Sequence, residues 1–179
     1  MNLLIFCGGI HGVGKTRFCS ELATLLRATH VSAGTLMIDA PATTAKAVYD
    51  PVVNQAQILK EFETVRTAAD RVVLDGHFWL IVPDRLIYRV PLGVFARICP
   101  TLMLVMTAAI PVISARLRVR DGIDVDEEFI RDLQFAEVEH ARQVAAALRI
   151  PLKVIDLSHS VDTIAGWISQ GVDSGRDSY

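Results

Sequence analysis

The hydrophobic pattern of this chain alternates between short apolar runs and amphipathic stretches. Leu3–Cys7 is an unbroken apolar run ending in Gly8 and Gly9, which reads as a buried strand closed by a turn. From Thr16 to Arg27 the apolar residues recur at helical spacing, with Phe18, Leu22 and Leu25 on one face. A short strand is predicted at His30–Ser32, and the segment 34–50 has no regular pattern. Asn54–Ala69 reads as a helix, preceded by Pro51, in which Ile58, Phe62 and Val65 share a face. Arg71–Asp75 and Thr101–Met106 are the next two strands. Asp126–Leu148 is the longest helix, with Asp126, Glu127 and Glu128 in its first turn, where negative charge favours the helix dipole. Leu152–Ile155 and Val161–Ser169 form a last strand and helix, and the polar tail 171–179 is expected to fray.

Near-continuous apolar strands separated by helices mean a parallel sheet covered on both faces, so the fold class is α/β. At 179 residues the chain is expected to be one domain. Hydrophobic residues make up 51% and charged ones 21%, which excludes intrinsic disorder. Lys and Arg number 18 against 20 Asp and Glu, so there is no general footprint for nucleic acid. A small phosphorylated ligand needs only a local cluster and stays open. Cys7, Cys19 and Cys99 have no C-x-x-C spacing, which gives poor support to zinc or a disulfide framework and suits a reducing compartment. The segment Ile98–Ala115 carries no charge, but Pro100 and Pro111 break it and Leu102–Met106 reads as a buried strand. The expectation is a cytoplasmic protein, a monomer or small homo-oligomer, with no membrane or nucleic-acid partner.

Directly after the first strand comes Gly9-Ile10-His11-Gly12-Val13-Gly14-Lys15-Thr16, a full match to G-x-x-x-x-G-K-[ST]. Its glycines let successive backbone N–H groups turn inward toward phosphate oxygens. Lys15, in a loop expected to face solvent, reaches the β- and γ-phosphates of a nucleotide, and the Thr16 hydroxyl is a ligand for Mg²⁺. The helix that follows directs its positive end at the same anion. The expected nucleotide contacts are therefore these eight residues together with Arg17. His11 is expected to be exposed, with no catalytic role.

ATP with Mg²⁺ calls for a carboxylate partner. Asp75 ends the run Val72-Val73-Leu74, at the strand edge where α/β sheets bind ligands, and either holds Mg²⁺ through water or caps the next turn. His77 either orients a phosphate near that edge or is structural. Arg116, Arg118 and Arg120 do not all share a helix face; they either fold over the phosphates from a mobile segment or lie on a solvated helix end. Arg85 and Arg89 are further candidates for an anion site. The acids Asp121, Asp124, Asp126, Glu127 and Glu128 do not have calcium-loop spacing and read as helix capping.

With these motifs the chain resembles the P-loop nucleoside monophosphate kinases, and is most similar to the archaeal-type adenylate kinases. The shared features are the GIHGVGKT loop, Gly34-Thr35-Leu36-Met37, Asp75-Gly76-His77, Pro100, and Arg116 through Asp121. The resemblance implies a three-layer sandwich around a five-stranded parallel sheet of order 2-3-1-4-5. It implies an acceptor-binding insertion at about 34–69 and a lid at about 116–126, within a single domain spanning 1–170. Gly34, Thr35, Gln57, His77 and Arg85 are then expected to meet the acceptor, with Lys15, Asp75, Arg116 and Arg120 as the catalytic set. Two departures bear on AMP as that acceptor. No arginine lies between Arg27 and Arg66, and His77-Phe78-Trp79 follow Gly76 where relatives carry D-G-x-P-R.

The function expected is transfer of the γ-phosphate of ATP to a nucleoside monophosphate or similar small acceptor. A kinase for a non-nucleotide alcohol and an ATP-dependent switch are the alternatives.

Overall fold

The computed structural model describes residues 3–38, 51–82, 86–122, 124–156 and 158–174. Among the described residues, seven strands and seven helices follow one another as β1 (Leu3–Gly8), α1 (Lys15–Leu26), β2 (Thr29–Ser32), α2 (Ala33–Ile38), α3 (Pro51–Ala68), β3 (Arg71–Asp75), β4 (Trp79–Val82), β5 (Leu86–Arg89), α4 (Leu92–Ile98), β6 (Leu102–Thr107), α5 (Ile110–Asp121), α6 (Glu127–Leu148), β7 (Leu152–Asp156) and α7 (Val161–Ser174). Five strands form an all-parallel sheet in the order β2-β3-β1-β6-β7. Leaving aside the β4–β5 pair, that is the expected order.

The alternation of side chains along β1 and β6 sorts the core into two layers. Ile5, Cys7, Leu104 and Met106 face α1, α5, α7 and the start of α6, where they meet Phe18, Leu22, Ile113, Leu133 and Ile164. Leu4, Phe6, Met103 and Val105 face α3, α4 and the rest of α6, where they meet Phe62, Phe95, Ala141 and Val144. Helices on both faces explain why these strands read as apolar throughout. Within the uncharged stretch 98–115, Leu102–Thr107 is the buried β6, as expected, and among the described residues no helix is long and apolar enough to cross a membrane.

Several elements depart from the sequence reading, among them α2, which occupies Ala33–Ile38 where the sequence shows no regular pattern, and α5. An antiparallel hairpin, β4–β5, pairs Trp79 with Arg89 and Leu80 with Tyr88 after the third sheet strand. Helix α4 follows it and buries Phe95 and Ile98. At the other end α7 runs on to Ser174, into the segment expected to fray.

Parallel pairing sets the floor of the site. The β1–β3 register places Cys7 beside Asp75, and the β2–β3 register places Ser32 on its other side. Asp75 therefore stands at the carboxyl edge, next to the loop that leaves β1. Gly8 is fixed by packing, because a Cβ there would lie 2.3 Å from the Phe78 ring.

Candidate active site

The loop leaving β1 ends on Gly14, whose φ of 99° lies in the left-handed region that glycine adopts freely, and α1 starts at the next residue. No side chain caps the α1 N-terminus, so its first N–H groups and its dipole face the loop. Lys15 folds back across this concavity. It is only 8% exposed, with Nζ 3.9 Å from Asp75 Oδ1. The sequence placed it facing solvent; the aliphatic stem is instead enclosed, with the ammonium at the strand edge. Thr16 is exposed, and its hydroxyl has no partner among the described residues. Ile10 and Val13 are buried and hold the loop to the core. Arg17 points away from the loop and pairs with Glu21 at 2.8 Å.

Asp75 is 3% exposed and firmly oriented. Ser32 Oγ donates to its Oδ1 at 3.0 Å, and His30 Nε2 lies 2.9 Å from Oδ2. Neither His30 nor Ser32 was singled out from the sequence, because the β2–β3 register that brings them beside Asp75 is a long-range property. A carboxylate offers about four acceptor positions, so about two remain available after these. Asp75 and the free Thr16 hydroxyl thus suit a hydrated divalent cation, held at Asp75 through water.

The second buried carboxylate is Glu137 on α6, 1% exposed. Its Oε1 accepts from the N–H groups of Gly9 (3.0 Å) and Phe78 (2.9 Å), and its Oε2 from Trp79 N (2.9 Å). One side chain thereby ties the phosphate loop to the turn that follows Asp75. The sequence carried a signal for it. Ile130, Leu133, Glu137, Ala141 and Val144 lie on one helical stripe, and a carboxylate in such a stripe must find donors.

Burial pushes the Glu137 carboxyl up to about 7, against the lowering effect of its three backbone donors and Lys15. The unfolded carboxyl ionises near 4.5, so between that pH and about 7 the unfolded chain loses a proton the folded chain keeps. This group therefore removes about 3 kcal/mol of stability as the pH rises through that window. Relative to Glu137→Gln, the wild type should lose that amount between urea unfolding at pH 4.5 and at pH 7.5. An equal difference at both values would refute the buried ionisation.

His77 is burial-shifted strongly downward, assisted by Lys15 and His11, and its ring lies against that of His11, tilted by 40° with centroids 4.4 Å apart. His77 Nδ1 lies 4.0 Å from Glu137 Oε1. His11, exposed as expected, is also shifted down, by partial desolvation and then by Lys15 and Arg120. Both rings are thus held neutral near pH 7.

The three arginines sit within α5 rather than on a loop. Arg116 Nη1 donates to the carbonyls of Gly12 (3.2 Å) and Val13 (3.0 Å), bracing the loop from outside. Arg118 pairs with Asp124. Arg120 grips its neighbour Asp121 with both arms of its fork, Nε to Oδ1 at 2.6 Å and Nη2 to Oδ2 at 2.7 Å. Asp126 N-caps α6, accepting from Glu128 N at 3.0 Å, as the capping reading expected. Gly34 and Thr35 are exposed at the start of α2, with Thr35 Oγ1 donating to the Ser32 carbonyl. Arg85 lies outside the described residues, as does the Gln57 side chain. Arg89 turns from the site, with Nε donating to His140 Nδ1 at 3.1 Å.

A family model described as AAA domain matches residues 8–133, from the last residue of β1 into α6. The chain belongs to the AAA domain family. The match takes in the phosphate loop, Asp75 and all three arginines of α5. No curated protein matches the chain.

Solved structures share its fold over nearly the whole length. A gluconokinase from Sinorhizobium meliloti 1021 is 11% identical with a TM-score of 0.61, covering 99% of this chain and 98% of its own. A shikimate kinase from Bacteroides thetaiotaomicron is 12% identical at 0.61, covering 96% and 98%. The YorR protein from Bacillus subtilis, in complex with phosphorylated GDP, is 17% identical at 0.61, covering 98% and 99%. At these identities the likeness is one of fold, and it extends to no particular adenylate kinase branch.

Proposed function

We propose that this AAA domain protein is an ATP-dependent phosphotransferase that moves the γ-phosphate of ATP to a small acceptor. One observation carries the reading: the Lys15 ammonium is held 3.9 Å from the Asp75 carboxylate at the mouth of an uncapped helix N-terminus. Phosphoryl transfer asks the protein mainly for positioning and for neutralisation of charge spread over the equatorial oxygens. The loop amides and the α1 dipole receive the phosphate chain, and Lys15 reaches its terminal groups. Thr16 and Asp75, the latter oriented by Ser32 and His30, would hold Mg²⁺, which supplies further charge neutralisation when bound. Arg116 braces the loop backbone against displacement.

The expected insertion at about 34–69 and lid at about 116–126 enter this proposal as the segments flanking the cradle, within one domain spanning 1–170. Gluconokinase and shikimate kinase, the names of two structures with this fold, support a small acceptor without choosing one. The absence of arginine between Arg27 and Arg66 weakens the case for a nucleoside monophosphate gripped by the 34–69 segment.

A transferase must withhold water from the γ-phosphate until the acceptor completes the site. Mg·ATP alone should therefore release ADP slowly, and an accepted compound should raise the rate by orders of magnitude. Coupled ADP release with nucleoside monophosphates, nucleosides and small alcohols measures this. Brisk hydrolysis that no acceptor changes would identify an ATPase switch instead.

A further inference from the structure

Beside the phosphate loop lies a cavity of about 470 Å³, within the roughly 300–1,000 Å³ of small-molecule sites. It is bounded on one side by Ile10 and His11 of the loop and on the other by the end of α5 and the start of α6. Leu117, Val125, Phe129 and Leu133 give it largely apolar walls. Its charged groups are Arg120, Asp121 and Asp126. Arg120 pairs with Asp121 through two of its five N–H groups, and Asp126 has no cation beside it among the described residues. With His11 neutral, the cavity carries one net negative charge.

We propose that this cavity receives the phosphate acceptor, and that the acceptor is an uncharged alcohol with an apolar body. This rests on the phosphotransferase reading above and narrows it. A monophosphate dianion would meet two carboxylates and a single arginine already paired with one of them, so the net like charge disfavours it. An alcohol brings no charge, buries its carbon frame against Leu117, Phe129 and Leu133, and can donate hydroxyl hydrogens to Asp121 or Asp126.

In the transfer, the acceptor hydroxyl oxygen attacks the γ-phosphorus. A new O–P bond forms while the bond from that phosphorus to the β–γ bridging oxygen breaks, and ADP leaves with the electron pair. The hydroxyl proton passes to the His11 imidazole, which lines the cavity and is steadied by the His77 ring. The site thus lies on the α5–α6 side of the loop, away from Gly34 and Thr35, where the sequence placed the acceptor.

The test compares matched pairs that differ by a phosphate: adenosine and AMP, uridine and UMP, and, with an apolar body, benzyl alcohol and benzyl phosphate. Mg·ATP binding is measured separately by fluorescence of a labelled ATP analogue. The uncharged member of at least one pair should raise ADP release tenfold or more above its phosphorylated partner. Val125→Trp, at the half-buried cavity wall, should raise KM for that alcohol at least tenfold while KM for ATP moves less than twofold. Val125→Ala, which opens the wall instead, should leave KM for ATP unchanged and checks that the fold tolerates the position.

Faster turnover with the phosphorylated members overturns the proposal. So does Val125→Trp raising KM for ATP alone, which would make the cavity part of the nucleotide site. ADP release that no uncharged compound raises, in protein that binds Mg·ATP, also overturns it. Failure to bind Mg·ATP at all overturns the phosphotransferase reading itself.

Discussion

Lys15→Met is expected to lower phosphoryl transfer by about 100-fold to 1,000-fold while leaving the protein folded, the usual effect of deleting one preorganised charge at the reacting group. Methionine is the informative replacement because the Lys15 stem is enclosed, and a thioether chain of similar length keeps that packing. The fold should tolerate the change. Asp75 loses a cation at 3.9 Å but keeps Ser32 and His30, so its carboxylate is not stranded. A melting temperature within a few degrees of wild type, together with lost turnover, places the effect on chemistry. Undiminished turnover in a well-folded variant would remove the loop from the mechanism.

Asp75→Asn should have the second largest effect, and its signature is dependence on metal. The amide oxygen still accepts from Ser32, so the local shape survives, but the negative charge facing the cation is gone. Half-activation should require at least about tenfold more Mg²⁺, the usual loss when a carboxylate near a metal is removed. Nucleotide affinity in EDTA should change little by comparison. Identical Mg²⁺ activation curves for the two proteins would reduce Asp75 to a structural acceptor.

The parts of this molecule set by local sequence were legible without coordinates. The loop is contiguous, from Gly9 to Thr16, and its glycines, lysine and threonine each answer a local demand. Asp75 was legible because it ends an apolar run, and apolar runs between helices become parallel strands. What escaped depends on which strands become neighbours. His30 and Ser32 are unremarkable along the chain and gain meaning only when β2 pairs with β3. The β4–β5 hairpin was missed because Trp79-Leu80-Ile81-Val82 is a short apolar run whose pairing and surroundings its sequence does not specify. Gly8 looked like a loop residue, whereas its smallness is demanded by the Phe78 ring from across the site.

The arginines show the same division. Their spacing put Arg116 and Arg120 on one helical face and Arg118 on another. It did not say that Arg116 would reach the Gly12 and Val13 carbonyls, or that Arg120 would be held by its own neighbour. Those are facts of tertiary packing and local competition among charges. They turn a set of three apparent phosphate ligands into one loop brace, one surface pair and one cavity-lining pair.

The central claim is transfer, and the fate of the γ-phosphate decides it. The measurement uses ATP isotopically labelled in that phosphate, with Mg²⁺ and the compound that raises ADP release most. Label should leave as a phosphate ester of the added compound in an amount equal to the ADP formed, and Lys15→Met should form almost none. Recovery of all the label as inorganic phosphate, whatever compound is added, would contradict the account.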